Sequence, residues 1–188
     1  MRKVIVCVAA LLTTVILPLS ASAETVLADF NTGSSPNNVG GGLGAWDKDP
    51  QDSTQTCRES FDSMVKNGNS GCSLKLDYDV DSPNAAFNGF WMKLNNMDLS
   101  QYKTLNLWVK GDPSRGYTER LKIELKTPDG VGKYYVTGIN SDWQKISIPL
   151  SSFGLSSLSS CTEFVIVFED QVATDKDGTM YIDDISVE

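Results

Sequence analysis

The chain has 188 residues, with 24 acidic and 16 basic side chains, a net charge of −8 and no histidine. The acidic balance argues against nucleic acid and anionic lipid as partners, because both need a basic face to displace counterions. The missing histidine removes Ser-His-Asp and Cys-His nucleophiles, histidine general bases and every His-containing zinc or copper site.

The first residues, Met1-Arg2-Lys3, are followed by an uncharged apolar run over residues 4–17 and then by Ala21-Ser22-Ala23. A charged end, a short apolar middle and an A-x-A exit are the three parts of a secretory signal peptide. The run falls short of the roughly 20 residues that cross a bilayer, so a membrane anchor is the poorer reading. Residues 1–23 are expected to be removed and residues 24–188 to form one domain, secreted or periplasmic, with 14 basic against 24 acidic residues. Cys57, Cys72 and Cys161 then remain, enough for one internal disulfide. A hairpin of residues 58–65 with 73–80 would set Cys72 opposite Val65 and leave Cys57 beyond bridging distance, so a bond from Cys161 to either is as good a reading.

Along the chain, apolar and polar residues alternate at period two in Ser73-Leu74-Lys75-Leu76-Asp77-Tyr78-Asp79-Val80, Leu105-Asn106-Leu107-Trp108-Val109-Lys110 and Leu121-Lys122-Ile123-Glu124-Leu125-Lys126. The same holds for Lys145-Ile146-Ser147-Ile148-Pro149-Leu150 and Tyr181-Ile182-Asp183-Asp184-Ile185. Such alternation marks half-buried strands. Residues 164–168 are apolar throughout and predict a central strand covered on both faces. Turn chemistry separates these runs, at residues 66–71, Gly111-Asp112-Pro113, Pro128-Asp129-Gly130 and Asp177-Gly178. No segment has convincing helical period, beyond a turn expected within residues 150–158. Residues 31–55 read as a long loop that contains Trp46, and a long loop in a compact domain is functional or disordered. The class expected is all-β: an antiparallel two-sheet sandwich or jelly-roll.

Two kinds of chemistry survive in this composition. Hard-cation binding draws on loop carboxylates and carbonyls, and Asp29-Phe30-Asn31, Asp47-Lys48-Asp49 and Asp183-Asp184 supply them. Asp175-Lys176-Asp177-Gly178 lacks the alternating ligands of a calcium loop and reads as a hairpin turn. Sugar binding draws on aromatic faces flanked by polar groups. By alternation Trp108 points away from the core defined by Leu105, Leu107 and Val109, and Trp91 opposes Phe90, Met92 and Leu94. The acids sit mostly on solvent faces and in turns, so a catalytic carboxylate pair is the minor reading.

The order of segments resembles the carbohydrate-binding modules of family 11 and their galactose-binding-like relatives. The resemblance rests on Val26-Leu27-Ala28-Asp29-Phe30-Asn31 with a glycine-rich loop after it, Gly71-Cys72-Ser73-Leu74-Lys75-Leu76-Asp77-Tyr78, and Phe87-Asn88-Gly89-Phe90-Trp91. It continues through Trp143-Gln144-Lys145-Ile146-Ser147-Ile148-Pro149-Leu150-Ser151-Ser152-Phe153 and Met180-Tyr181-Ile182-Asp183-Asp184-Ile185. It implies a galactose-binding-like jelly-roll with neighbouring first and last strands and a structural Ca2+ near their ends, for which Asp29, Asn31, Asp183 and Asp184 are the ligands by position. Asn31 stands where an acid is common. The resemblance also implies a concave saccharide groove, with Phe90, Trp46 and Phe168 at stacking positions. Residues 154–160 bring no charge or aromatic to it, so a cellulose-like or mixed-linkage glucan specificity does not carry over and the sugar stays open.

The segment Asp98-Leu99-Ser100-Gln101-Tyr102-Lys103-Thr104-Leu105, with Trp108-Val109-Lys110-Gly111-Asp112, is also similar to the domain of complex I intermediate-associated proteins. That likeness implies a protein-interaction or assembly role on the same fold. The leading expectation is a non-catalytic, exported protein that binds a poly- or oligosaccharide weakly, with Trp46, Phe90, Trp91, Trp108 and Phe168 as ligand contacts.

Overall fold

A computed structural model describes residues 23–188; residues 1–22, which hold nearly all of the expected leader, lie outside the described residues. Eleven strands follow in chain order: β1 (Thr25–Ala28), β2 (Leu43–Asp47), β3 (Thr56–Asp62), β4 (Ser73–Asp79), β5 (Phe87–Met97), β6 (Thr104–Gly111), β7 (Arg120–Thr127), β8 (Gly130–Thr137), β9 (Gln144–Pro149), β10 (Cys161–Glu169) and β11 (Asp177–Val187). One 3-10 turn, Leu150–Phe153, lies within the expected helical stretch and tucks Leu150 and Phe153 into the core.

The strands form two antiparallel sheets. The first has the order β3-β4-β11-β6-β9, with β1 paired to the C-terminal end of β11. The second has the order β2-β5-β10-β7-β8. The architecture is the two-sheet jelly-roll sandwich that alternation implies, and first and last strands are neighbours.

Period two builds the core directly. Leu74, Leu76 and Tyr78 from β4, Leu105, Leu107 and Val109 from β6, and Ile182 and Ile185 from β11 meet Phe90 and Met92 from β5, Ile123 from β7 and Phe164 and Ile166 from β10. Strand β10 is central: Phe164, Ile166 and Phe168 point into the core, and its outward valines 165 and 167 are only 2% exposed among the side chains of the flanking strands.

Three details differ from the sequence reading. Residues 43–47, expected as loop, form edge strand β2, whose Leu43 and Ala45 pack against the core while Gly44 and Trp46 face outward. The β3–β4 hairpin closes earlier than expected, with Asp62 opposite Ser73 instead of Val65 opposite Cys72. The cause is local: the Asp62 carboxylate accepts the N–H groups of Met64 and Val65 and bends the chain out of the ladder. Cys57 pairs with Tyr78 across that hairpin, and Cys57, Cys72 and Cys161 are all free thiols.

Candidate functional site

The outer face of the second sheet carries the site. Phe90, Met92 and Leu94 point inward from β5, so Phe87, Gly89, Trp91 and Lys93 point outward. Across the edge, Gly44 of β2 stands opposite Trp91 and Trp46 opposite Gly89. Glycines 42 and 44 leave no side chain in the way, and the Trp91 indole lies over them; a Cβ on Gly44 would stand 3.3 Å from the ring. The Trp46 ring meets Phe87 edge-on, centroids 5.9 Å apart.

On the other flank, β10 presents Glu163 and Val165, and β7 presents Lys122, Glu124 and Lys126. The two tryptophans, Val165, Lys93, Glu124, Lys126 and Glu163 together line a depression of about 260 Å³.

Ion pairs fix its polar side. Glu163 accepts from Lys126 Nζ at 2.6 Å through Oε1 and from Lys93 Nζ through Oε2. Burial pushes the Glu163 carboxyl up, but the hydrogen bonds and charges of Lys126 and Lys93 more than offset it and hold its pKa below the ordinary glutamate value. Lys122 is bound to Glu169 at 2.6 Å and to Glu124 at 3.1 Å. The Lys93 ammonium also stands 5.4 Å from the Trp91 ring centroid, within cation–π range. Aromatic faces beside placed donors and acceptors suit the C–H faces and hydroxyls of a sugar.

The sequence-predicted contacts divide. Trp46 and Trp91 come together in this depression. Trp108 is half-buried on the outer face of the other sheet, with Val26, Lys145 and Asp184 around it. Phe90 and Phe168 are corrected: both are 0% exposed, Phe90 edge-on to Phe30 and Phe168 stacked on Tyr78 with centroids 4.0 Å apart. Their strand positions put them on the inward face, where neither can meet a ligand. Lys93, Glu163, Lys126 and Val165 escaped the sequence reading, because only the registers of β5, β10 and β7 bring them together.

The four expected metal ligands lie at one end of the first sheet. The β11 register breaks between Asp183 and Ser186, and Asp184 takes φ +45°. Asp183 is 2% exposed and accepts the N–H groups of Asn67 and Asp184 at 2.9 and 3.0 Å, while Asp184 accepts from Asn67 Nδ2 at 2.9 Å. Burial pushes the Asp183 pKa up to about 7, with Asp184 and Asp29 adding repulsion against the Asn67 hydrogen bond. Asp29 holds the N–H of Asn31 at 3.1 Å, and Asn31 packs against Gly71. The donors are hard oxygens of the kind Ca2+ takes, and the buried Asp183 carboxylate, repelled by Asp184 and Asp29, fits a cation. Among the described residues no three carboxylates or thiols gather about one point, so amide and main-chain oxygens would have to complete the shell.

Two antiparallel sheets in a jelly-roll, one with an aromatic, ion-paired outer face, place the chain among the β-sandwich proteins. The family model described as carbohydrate binding domain (family 11) matches residues 13–186, and the chain belongs to that family. Comparison with curated proteins finds no match. Among solved structures, the chain is similar to the family 11 module of the cellulosomal cellulase Lic26A-Cel5E of Clostridium thermocellum, with TM-score 0.64, 20% identity and coverage of 89% of this chain and 95% of that one. It is equally similar to the family 11 module from Clostridium thermocellum in complex with a β-1,3-1,4-mixed-linked tetrasaccharide, with TM-score 0.64, 21% identity and coverage of 89% and 96%. An exo-β-agarase matches with TM-score 0.63 and 15% identity over 87% of this chain and 24% of the agarase. At these identities the likenesses show the fold.

Proposed function

We propose that this domain binds a polysaccharide on the outer face of its second sheet, in the depression between Trp46 and Trp91, and does not cleave it. The observation that carries the reading is the joining of two tryptophans from neighbouring strands with the Lys93–Glu163–Lys126 ion pairs in one depression. Open aromatic stacking gives weak binding, with Kd from micromolar to millimolar, roughly 4–8 kcal/mol. Catalysis of glycoside cleavage needs a carboxyl kept protonated as general acid, and Glu163 is shifted the opposite way.

Affinity electrophoresis against a panel of polysaccharides, including mixed-linked β-1,3-1,4-glucan, tests the reading. Retardation should be lost in Trp46→Ala and Trp91→Ala and kept in Trp108→Ala, which alters the opposite face. Retardation by no glycan overturns it, and release of reducing ends overturns its non-catalytic half. Residues 1–23 serve in this reading as a leader that directs the domain to the periplasm or the exterior; an exported protein beginning at Glu24 is the expected N-terminal sequence. Ca2+ near Asp29, Asn31, Asp183 and Asp184 is a second part of the proposal and acts on stability.

A further inference from the structure

We infer that the saccharide track continues past Trp46 into a second aromatic subsite formed by Phe87 and Tyr135, so that the ligand is an extended, uncharged chain of pyranose rings spanning both. The inference rests on the reading that the Trp46–Trp91 depression binds a polysaccharide.

Phe87 is 37% and Tyr135 50% exposed, and they are the aromatics most open to solvent among the described residues. Single exposed aromatics need no explanation, but these two come from different strands, β5 and β8, and line one depression of about 310 Å³. Alternation turns both to the face that carries Trp91: Phe87 has the parity of Trp91 on β5, and Tyr135 stands opposite outward Lys122. The ladder between them runs through Glu169, opposite Phe87, and Lys122. Glu169 Oε1 accepts from Lys122 at 2.6 Å, whereas Oε2 finds no donor among the described residues. That oxygen is buried, so the polar contacts open to a sugar hydroxyl here are those of Asp170 and Gln171, which line the same depression.

The two depressions adjoin at the Trp46–Phe87 pair. Trp46 lines the first and touches Phe87 of the second edge-on. Trp91 and Phe87 lie four positions apart on β5, roughly 13 Å at the rise of an antiparallel strand. A disaccharide fills one depression, and only a longer chain reaches both. Along the track Lys93, Lys122 and Lys126 are ion-paired with Glu124, Glu163 and Glu169, three charges of each sign, which favours uncharged sugars on that stretch.

The test is titration, followed by NMR, of the leaderless protein with mixed-linked β-1,3-1,4-glucan oligosaccharides from disaccharide to hexasaccharide. Wild-type affinity should rise with length, and Tyr135→Ala should weaken the hexasaccharide about three- to tenfold while leaving the disaccharide unchanged. Tyr135→Phe keeps the ring and should keep most of the gain. Tyr135 is half exposed, and an unchanged melting temperature confirms that the variant folds. A plateau at short chains with Tyr135→Ala silent, or equal loss at every length, overturns the second subsite. If Trp91→Ala still abolishes binding in that case, the single-depression reading stands. If no oligosaccharide binds and no polysaccharide retards the protein, both fail.

Discussion

The Trp91 indole lies across Gly44 of the neighbouring strand, and a Cβ added to that glycine would stand 3.3 Å from the ring. The edge strand therefore acts as a seat that sets the ring's tilt, because β2 offers a bare backbone where most strands would offer a side chain. Gly44→Val should lift the indole from this seat without removing any aromatic. Polysaccharide affinity should fall about three- to tenfold, the scale of one lost aromatic contact, while the melting temperature changes little. Unchanged affinity would mean that the seat does not position the ring.

Phe168 shows the opposite dependence. Its ring stacks on Tyr78, whose hydroxyl donates to the Asp175 carbonyl at 2.9 Å, so this pair ties β10 and β4 to the turn before β11. Phe168→Ala should cost about 3–5 kcal/mol in urea unfolding through the cavity it leaves. Saccharide affinity of the remaining folded protein should match wild type. A stable Phe168→Ala variant that fails to bind would return Phe168 to the ligand contacts.

The alternating runs made most of the sandwich legible, because one face of each strand must be apolar to close the core. By the same rule Trp91 and Trp108 point outward, and the structure places both so. Phe90 and Phe168 match stacking positions of the resembling family but face inward here: alternation on β5 shows this for Phe90, whereas the uniformly apolar run 164–168 hides the facing of Phe168 until the β10 register is known. Strand β2 was hidden because Gly44 and Ala45 interrupt its pattern and glycines precede it. The ion-paired flank was beyond reach for a different reason. Lys93, Glu163 and Lys126 lie far apart in the chain and meet only through the registers of three strands, which turn lengths do not reveal.

Asp183 carries the cation prediction. A buried carboxylate beside Asp184 and Asp29 is repelled by both, and a bound dication would relieve that repulsion. Ca2+ at a hundredfold excess over its Kd should add about 2.7 kcal/mol of stability, a rise in melting temperature of roughly 5–10 °C for a domain of this size. Chelator should reverse the rise, and Asp183→Asn should be insensitive to either. Identical melting in Ca2+ and chelator would remove the metal from the account.

Glu163 gives the molecule a pH dependence of definite sign. Burial alone would raise its pKa, yet Lys126 and Lys93 hold it below the ordinary value of 4.5, so below pH 4.5 the unfolded chain takes up the proton more readily than the folded one. The stability it contributes is complete above that pH and is lost as the pH falls through the lowered folded value. Urea midpoints measured across this range should therefore fall more steeply for wild type than for Glu163→Gln, which is less stable at neutral pH and converges with wild type in acid. The same substitution frees two lysine ammonium groups from their shared carboxylate at the rim of the Trp91 depression, so saccharide affinity at neutral pH should drop with it. A gap between the two proteins that stays constant with pH would show that the carboxylate contributes packing and not charge.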